Sequence, residues 1–193
     1  MQTTMRKSIL FLTFLCLQAG VLRAQVTLTE RAAARTDFEL VTADGTAAVC
    51  YDAADAAVVG TAAGLFAADV ARVTGREIPV VDGSELPAKT RCAVIVGTVG
   101  QSRWIDELAA AKKIDVTPIE GGWERYTLRL VDRPGHGLRK ALVIAGSDRR
   151  GTAYGLLSVS RAIGVNPWYW WADAPVERRD RVTLRVADYT SPT

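Results

Sequence analysis

Four of the carboxylates in this chain are the leading candidates for acid–base catalysis. Cleavage of a glycosidic bond, for example, requires two carboxyl groups whose separation sets the stereochemical outcome. Glu120 and Glu124 bracket a Gly-Gly-Trp segment, and Asp148 and Asp173 follow further along the chain. Asp148 equally suits the start of a helix, and the other three suit solvated loops or strand edges. Spacing alone therefore selects no catalytic pair.

The sequence gives less support for a nucleophilic triad, a metal site or a cofactor site. His136 is the single histidine, and no serine or cysteine stands in an elbow motif that would complete a triad. No zinc-binding spacing is present. Glycine-containing turns at residues 96–100 and 145–151 each follow an apolar run and could hold an anion. Neither has the three-glycine fingerprint or a following lysine, so the sequence predicts no cofactor.

Residues 168–171 (Trp-Tyr-Trp-Trp) form an unusually aromatic segment. Read as a strand, the segment places Trp168 and Trp170 on one side and Tyr169 and Trp171 on the other. Stacking on a sugar ring is one interpretation. Docking against a neighbouring domain is the other, since each ring buries about 150–250 Å². We favour docking, because the segment lies close to the end of the chain.

Strands that alternate with helices predict an α/β sandwich with a mixed sheet. Apolar patterning predicts strands at residues 38–41, 47–51, 78–81, 92–96, 123–131, 141–145 and 182–186. Helices are predicted at residues 56–74, with Asp52 or Asp55 as cap, at 102–111, and from Ser147 or Asp148 to Gly164. The predicted inner stripe of the last helix is Ala153, Leu156, Leu157, Ser160 and Ile163.

The first 24 residues are predicted to be an export signal. Arg6 and Lys7 precede an apolar run at residues 8–17 that is too short for an ordinary membrane span. An uncleaved N-terminal anchor is the alternative. Cleavage before Gln25 would deliver the protein to the periplasm or the extracellular space. Residues 25–187 would then form one α/β domain that begins with a leader at 25–36, and residues 188–193 would start a linker.

The charge balance of the mature part excludes some partners. The chain has 24 Lys+Arg and 21 Asp+Glu, and the three basic residues of the signal would leave with it. The remaining net charge is zero, which gives no electrostatic case for nucleic acid. No membrane partner is expected after cleavage. Cys50 and Cys92 could form a disulfide in an oxidising compartment, but a domain of this size does not need one, so two buried thiols are favoured.

The region from residue 141 to 176 resembles glycoside hydrolases of family 115, the xylan α-1,2-glucuronidases. Its two most similar segments are ALVIAGSDRRGTAYG at 141–155 and IGVNPWYWWADAPV at 163–176. Supporting segments are RVTG at 72–75, VIVGT at 94–98 and IEGGWE at 119–124. The resemblance extends over residues 38–190.

This resemblance implies an N-terminal α/β domain that precedes a (β/α)8 catalytic barrel. The catalytic acids would lie on the barrel, so no catalytic residue is expected in this segment. The parent hydrolase would remove glucuronic acid or its 4-O-methyl form from xylan, and the partners would be the barrel and glucuronoxylan. A free-standing carbohydrate-binding or domain-interaction module is the alternative. The expected substrate-rim residues are Glu120, Trp123, Asp148, Arg149, Arg150, Trp168, Trp170, Trp171 and Asp173.

Overall fold

The computed structural model describes residues 26–30, 34, 36–83, 85–172 and 174–192. The predicted export signal and Asp173 lie outside this range. The strands are β1 Val26–Leu28, β2 Asp37–Val41, β3 Ala48–Cys50, β4 Val80–Val81, β5 Cys92–Thr98, β6 Tyr126–Gly135, β7 Leu138–Gly146, β8 Val182–Val186 and β9 Tyr189–Thr190. The helices are α1 Ala57–Thr74, α2 Arg103–Ala110, α3 Arg149–Ala162 and α4 Tyr169–Ala172, with a 3-10 turn at Thr117–Ile119.

The main sheet has six strands in the order β4-β3-β5-β7-β6-β9. Strands β4, β3, β5 and β7 are mutually parallel, whereas β6 is antiparallel to β7 and to β9. A separate antiparallel sheet has the order β1-β8-β2. The predicted α/β fold with a mixed sheet is confirmed.

Both faces of the main sheet are covered, which explains the continuous apolar runs of β5 and β7. Val94 and Ile144 point into a core shared with α1, α3 and the small sheet. Ile95 and Val143 point to the opposite face, into a core shared with α2. A strand that is buried on both faces needs apolar residues at successive positions rather than at alternate ones.

Helix α3 packs unusually close to the sheet because three glycines leave room for it. A Cβ added at Gly151 would lie 2.2 Å from the carbonyl oxygen of Arg125. A Cβ at Gly155 would lie 2.4 Å from Ile144, and one at Gly146 would lie 2.2 Å from Thr152. The glycines of the 141–155 segment therefore serve helix–sheet packing.

The predicted stripe of α3 is partly wrong. Leu157 is 48% exposed, and Thr152 and Val159 are fully buried in its place. The glycine contacts set the rotation of the helix, so the side that faces the sheet carries Gly151 and Gly155 together with Leu156. A prediction based on large apolar residues therefore placed the buried side of α3 part of a turn away from its actual position.

Four other expectations need correction. β1 lies in the predicted leader and pairs with β8, and β9 lies in the predicted linker and pairs with β6. The aromatic segment is helical in α4 rather than extended, and the amide of Ala172 donates to the carbonyl of Trp168 at 2.8 Å. The strand predicted from residue 123 begins at Tyr126, because Glu124 has a left-handed backbone with φ of 56°.

The two cysteines outside the predicted signal are buried free thiols. This agrees with the favoured prediction. Burial raises the pKa of the Cys50 thiol to about 12, so the side chain acts as a small apolar residue of the core.

Candidate functional site

The strongest candidate site is an open crevice of about 480 Å³ at the carboxyl ends of the parallel strands. Strands β3, β5 and β7 all end at this edge. The chain then turns into α1 and α3 on one face of the sheet and into α2 on the other. In open α/β sheets, ligands bind where the connections diverge in this way. The crevice is lined by Asp55, Ala56, Thr98, Val99, Gln101, Trp123, Ser147, Asp148, Arg149 and Arg150.

Asp148 is fixed in the crevice wall as the N-cap of α3, as the sequence predicted. Its Oδ1 accepts hydrogen bonds from the amides of Arg150 and Gly151, both at 2.9 Å. Its Oδ2 accepts the amide of Glu124 at 2.6 Å. Burial acts to raise the pKa of Asp148, but the three backbone donors and the charge of Arg150 outweigh it and hold the pKa below its usual value.

Asp55 ties the ends of two strands together rather than capping α1. Its Oδ2 accepts the amide of Thr98 at 2.7 Å, and its Oδ1 accepts the amide of Ala56 at 2.7 Å. The N-cap of α1 is Ala56, and no side chain caps it. The prediction that Asp52 or Asp55 caps this helix is therefore wrong. Asp52 instead accepts the amide and the Nε of Arg103, at the start of α2.

A chain of hydroxyl groups supports the floor of the crevice. The Oγ1 atoms of Thr98 and Thr152 lie 2.9 Å apart, and the Thr152 hydroxyl donates to the carbonyl of Asp148 at 2.9 Å. Both threonines are buried. The end of β5 is thereby linked to the first turn of α3 beneath the crevice.

The outer rim is basic and aromatic. Nη2 of Arg150 lies 2.9 Å from Oε1 of Glu124, and its guanidinium lies 5.8 Å from the centre of the Trp123 ring. Trp123 is 74% exposed, and Arg149 is exposed beside it. An open indole next to guanidinium groups can stack on a pyranose ring and pair with a carboxylate. Because Arg150 is paired with Glu124, Arg149 is the rim guanidinium that could pair with the carboxylate of an acidic sugar.

Acid–base catalysis is poorly supported at this crevice. A general acid needs a raised pKa, whereas the pKa of Asp148 is lowered. Both oxygens of Asp55 are occupied by backbone amides. Among the described residues, no group of three or more His, Cys, Asp or Glu side chains could hold a metal ion.

The predicted rim residues fall into two separate groups. Trp123, Asp148, Arg149 and Arg150 meet in the crevice, whereas Glu120 is exposed at the end of the 3-10 turn and does not line it. Trp168 is 65% exposed and follows the opposite end of α3. A helix of 14 residues is about 21 Å long, so the two groups cannot share one small subsite.

The aromatic segment is anchored at this far edge. The guanidinium of Arg72, in the last turn of α1, lies 4.6 Å from the centre of the Tyr169 ring. Trp170 and Trp171 belong to α4 in the same segment. Sequence reasoning did not single out Asp55, and it considered Thr98 only as part of the 96–100 turn; both stand at or just beyond the end of a predicted strand, which was the available signal.

The comparisons with known proteins bear on this fold. No protein-family model and no curated protein sequence matches the chain. Among solved structures, the chain is similar to BtGH115A, a family GH115 4-O-methyl-α-glucuronidase with specificity for decorated arabinogalactans. The identity is 30% over 80% of this chain, with a TM-score of 0.60. A more distant likeness, to CpGH84D, has 10% identity and a TM-score of 0.45 over 85% of this chain and 22% of that one.

The chain therefore holds a GH115-like domain of the kind found in a glycoside hydrolase. It spans 18% of the length of BtGH115A.

Proposed function

We propose that this chain is a non-catalytic accessory domain of an exported glycoside hydrolase that removes glucuronic acid or 4-O-methylglucuronic acid from a plant polysaccharide. The observation that carries the proposal is the 30% identity to BtGH115A over 80% of this chain. The chain corresponds to less than a fifth of that enzyme's length. A domain of this size would brace a catalytic barrel in the same polypeptide and contribute to its rim.

The state of the crevice carboxylates supports a non-catalytic role. Asp148 and Asp55 accept backbone amides that hold the turns in place. Glu124 is paired with Arg150. A residue committed to such contacts would have to break them in order to transfer a proton. The reacting carboxylates are therefore assigned to the barrel.

The polysaccharide is the finer part of the proposal. The resemblance of the 141–176 region favours glucuronoxylan, and BtGH115A acts on decorated arabinogalactans. An assay should therefore offer both substrates, and periplasmic or extracellular location should be tested through cleavage before Gln25.

The test uses the gene and two purified proteins. We expect the coding sequence to continue in frame beyond codon 193, and the long polypeptide to release uronic acid from one of the two polysaccharides. Residues 25–193 alone should release none. Release by residues 25–193, or an inactive long polypeptide on both substrates, would overturn the proposal.

The exposed indoles favour a second candidate function, a carbohydrate-binding module. Trp123 lies in the crevice, and Trp168 lies about one helix length away. Binding in the crevice predicts that Trp123→Ala abolishes retardation in gels containing glucuronoxylan, whereas the matched control Trp168→Ala migrates as the wild type does. Unretarded migration of the wild-type domain would remove this candidate.

A further inference from the structure

The outward side of α1 is apolar, although it faces solvent in this domain. Seven of the 18 residues of α1 are buried. Val58 and Leu65 are 40% and 47% exposed. The exposed positions, none of which is charged, are Ala57, Val58, Thr61, Gly64, Leu65 and Ala68. The two charged residues of α1, Asp69 and Arg72, pair with each other at 2.7 Å.

A helix that is apolar all round is normally buried all round. Among the described residues, α1 is the helix whose length and mean hydropathy of 1.3 would allow it to cross a membrane. Its inner side nevertheless packs in the core through Val59, Phe66 and Val70. The described part of the domain therefore covers one side of α1 and leaves a second, uncharged side exposed.

The neighbouring helix extends this apolar surface. Helices α1 and α3 pack against each other on the same face of the main sheet, so their exposed sides face the same direction. Tyr154 and Leu157 of α3 are 39% and 48% exposed, and the exposed Arg149, Arg150 and Arg161 of the same helix border them. We call these two residues and the six exposed positions of α1 the helical face. Leu157 was the one residue of the predicted inner stripe that proved exposed.

The packing of this domain requires a glycine at one position of α1 but not at another. A Cβ at Gly60 would lie 2.9 Å from the Tyr51 ring, so Gly60 is needed for internal packing. A Cβ at Gly64 would have no heavy atom within 4 Å. Glycine is unfavourable inside a helix, and no contact within the described domain requires it at Gly64. A small residue there leaves room for another helix to approach closely.

The position of the chain at Ser191 indicates where a partner would be tethered. Ser191 donates its amide to the carbonyl of Tyr126 at 2.9 Å and accepts the Tyr126 amide on Oγ at 3.0 Å. Arg125, whose carbonyl oxygen faces Gly151 of α3, also donates to the carbonyl of Ser191 at 3.2 Å. Polypeptide that follows Ser191 would start beside the N-terminal end of α3, at the border of the helical face.

We infer that the helical face is the docking surface for the catalytic domain of the same polypeptide, which contacts it through helices. The inference rests on the proposed function for the existence of that domain. Interfaces between domains of one chain bury about 600–1,500 Å², a scale that two adjacent helices can supply. Four of the six exposed positions of α1 are alanine, glycine or threonine, and such small residues let another helix approach closely.

The test measures maleimide labelling of a cysteine placed on the face. Leu65→Cys is compared with Ala110→Cys, which is exposed on α2 at the opposite face of the sheet. Cys50 and Cys92 are buried and give little background. In residues 25–193, which contain both cores described above, both new thiols should react rapidly. In the long polypeptide, the labelling rate of Leu65→Cys should fall by about tenfold or more. The labelling rate of Ala110→Cys should be the same in both proteins.

Three results would overturn the inference. They are equal labelling of Leu65→Cys in the two proteins, equal protection of both positions, and a polypeptide that ends at Thr193. If labelling of Leu65→Cys in residues 25–193 slowed as the protein concentration rose, the face would be assigned to a second copy of the domain. If labelling slowed on addition of vesicles of anionic phospholipid, the face would be assigned to a membrane. Uronic acid release is measured separately on the same long polypeptide, so loss of the proposed activity with retained protection leaves this inference standing.

Discussion

Replacement of Gly151 by alanine tests the reasoning about α3 most directly. Helix propensity alone predicts that this change stabilises the protein by about 1 kcal/mol. The structure predicts the opposite sign. The new Cβ would lie 2.2 Å from the carbonyl oxygen of Arg125 and 2.9 Å from its carbonyl carbon. These are backbone atoms, which cannot rotate away as the end of a side chain could.

The size of the effect follows from the movement that is needed. Ordinary contact begins at 3.4 Å, so α3 would have to shift by about 1.2 Å away from the sheet. Overpacking of this kind costs about 1–3 kcal/mol, with backbone clashes at the upper end. After the gain in helix propensity, we expect a net loss of about 2 kcal/mol. For a domain of this size, that lowers Tm by about 4–8 °C.

Thermal and urea unfolding of residues 25–193, followed by circular dichroism, would measure this loss. Gly64→Ala is the matched control, because it is also a glycine inside a helix but has open space around its added Cβ. It should raise Tm by about 2–4 °C. If Gly151→Ala were as stable as the wild type, or if both variants were stabilised alike, the proposed close packing of α3 would be refuted.

Two further predictions concern ionisable groups. Asp148→Asn should destabilise the domain by about 1 kcal/mol at neutral pH, because the asparagine Oδ1 can still cap α3 but the side-chain NH2 group cannot accept the amide of Glu124 as Oδ2 does. Folding lowers the pKa of Asp148. The stability difference between wild type and variant should therefore have its maximum value above about pH 4 and should shrink as the pH falls further. A stability difference independent of pH between about 2 and 6 would contradict this. Cys50, whose pKa is raised to about 12, should resist iodoacetamide at pH 8 in the folded protein and react in 8 M urea, and rapid reaction of the folded protein would show that burial does not protect it.

The strands and helices with strong patterns could be predicted from the sequence. β5 and β7 contain uninterrupted apolar runs at residues 92–96 and 141–145, and Gly75 and Gly164 follow the ends of α1 and α3, so the type of each element was predicted correctly. The pairing of β1 with β8 joins segments about 160 residues apart along the chain. A strand of three residues carries too little periodicity to indicate such a partner.

The candidate site was predicted only in part, for two different physical reasons. Asp148, Arg149 and Arg150 are adjacent in sequence, so their common location was visible. Trp123 joins them because Glu124 turns the chain and pairs with Arg150, a contact that no local pattern encodes. The aromatic segment was interpreted at strand period, with alternate rings on opposite sides, whereas it forms a helical turn in which Tyr169 packs beside Arg72.

The short strand β9 has a practical consequence for anyone who produces this domain. It covers Thr127 and Leu128 of β6, and the two hydrogen bonds between Ser191 and Tyr126 hold it there. A fragment ending at residue 187, where the sequence alone places the domain boundary, would leave the amides and carbonyls of β6 open along a free sheet edge. Free edges invite pairing with other chains. The last few residues therefore protect the edge of β6 from pairing with other chains, and a fragment that resists aggregation should extend at least through Pro192.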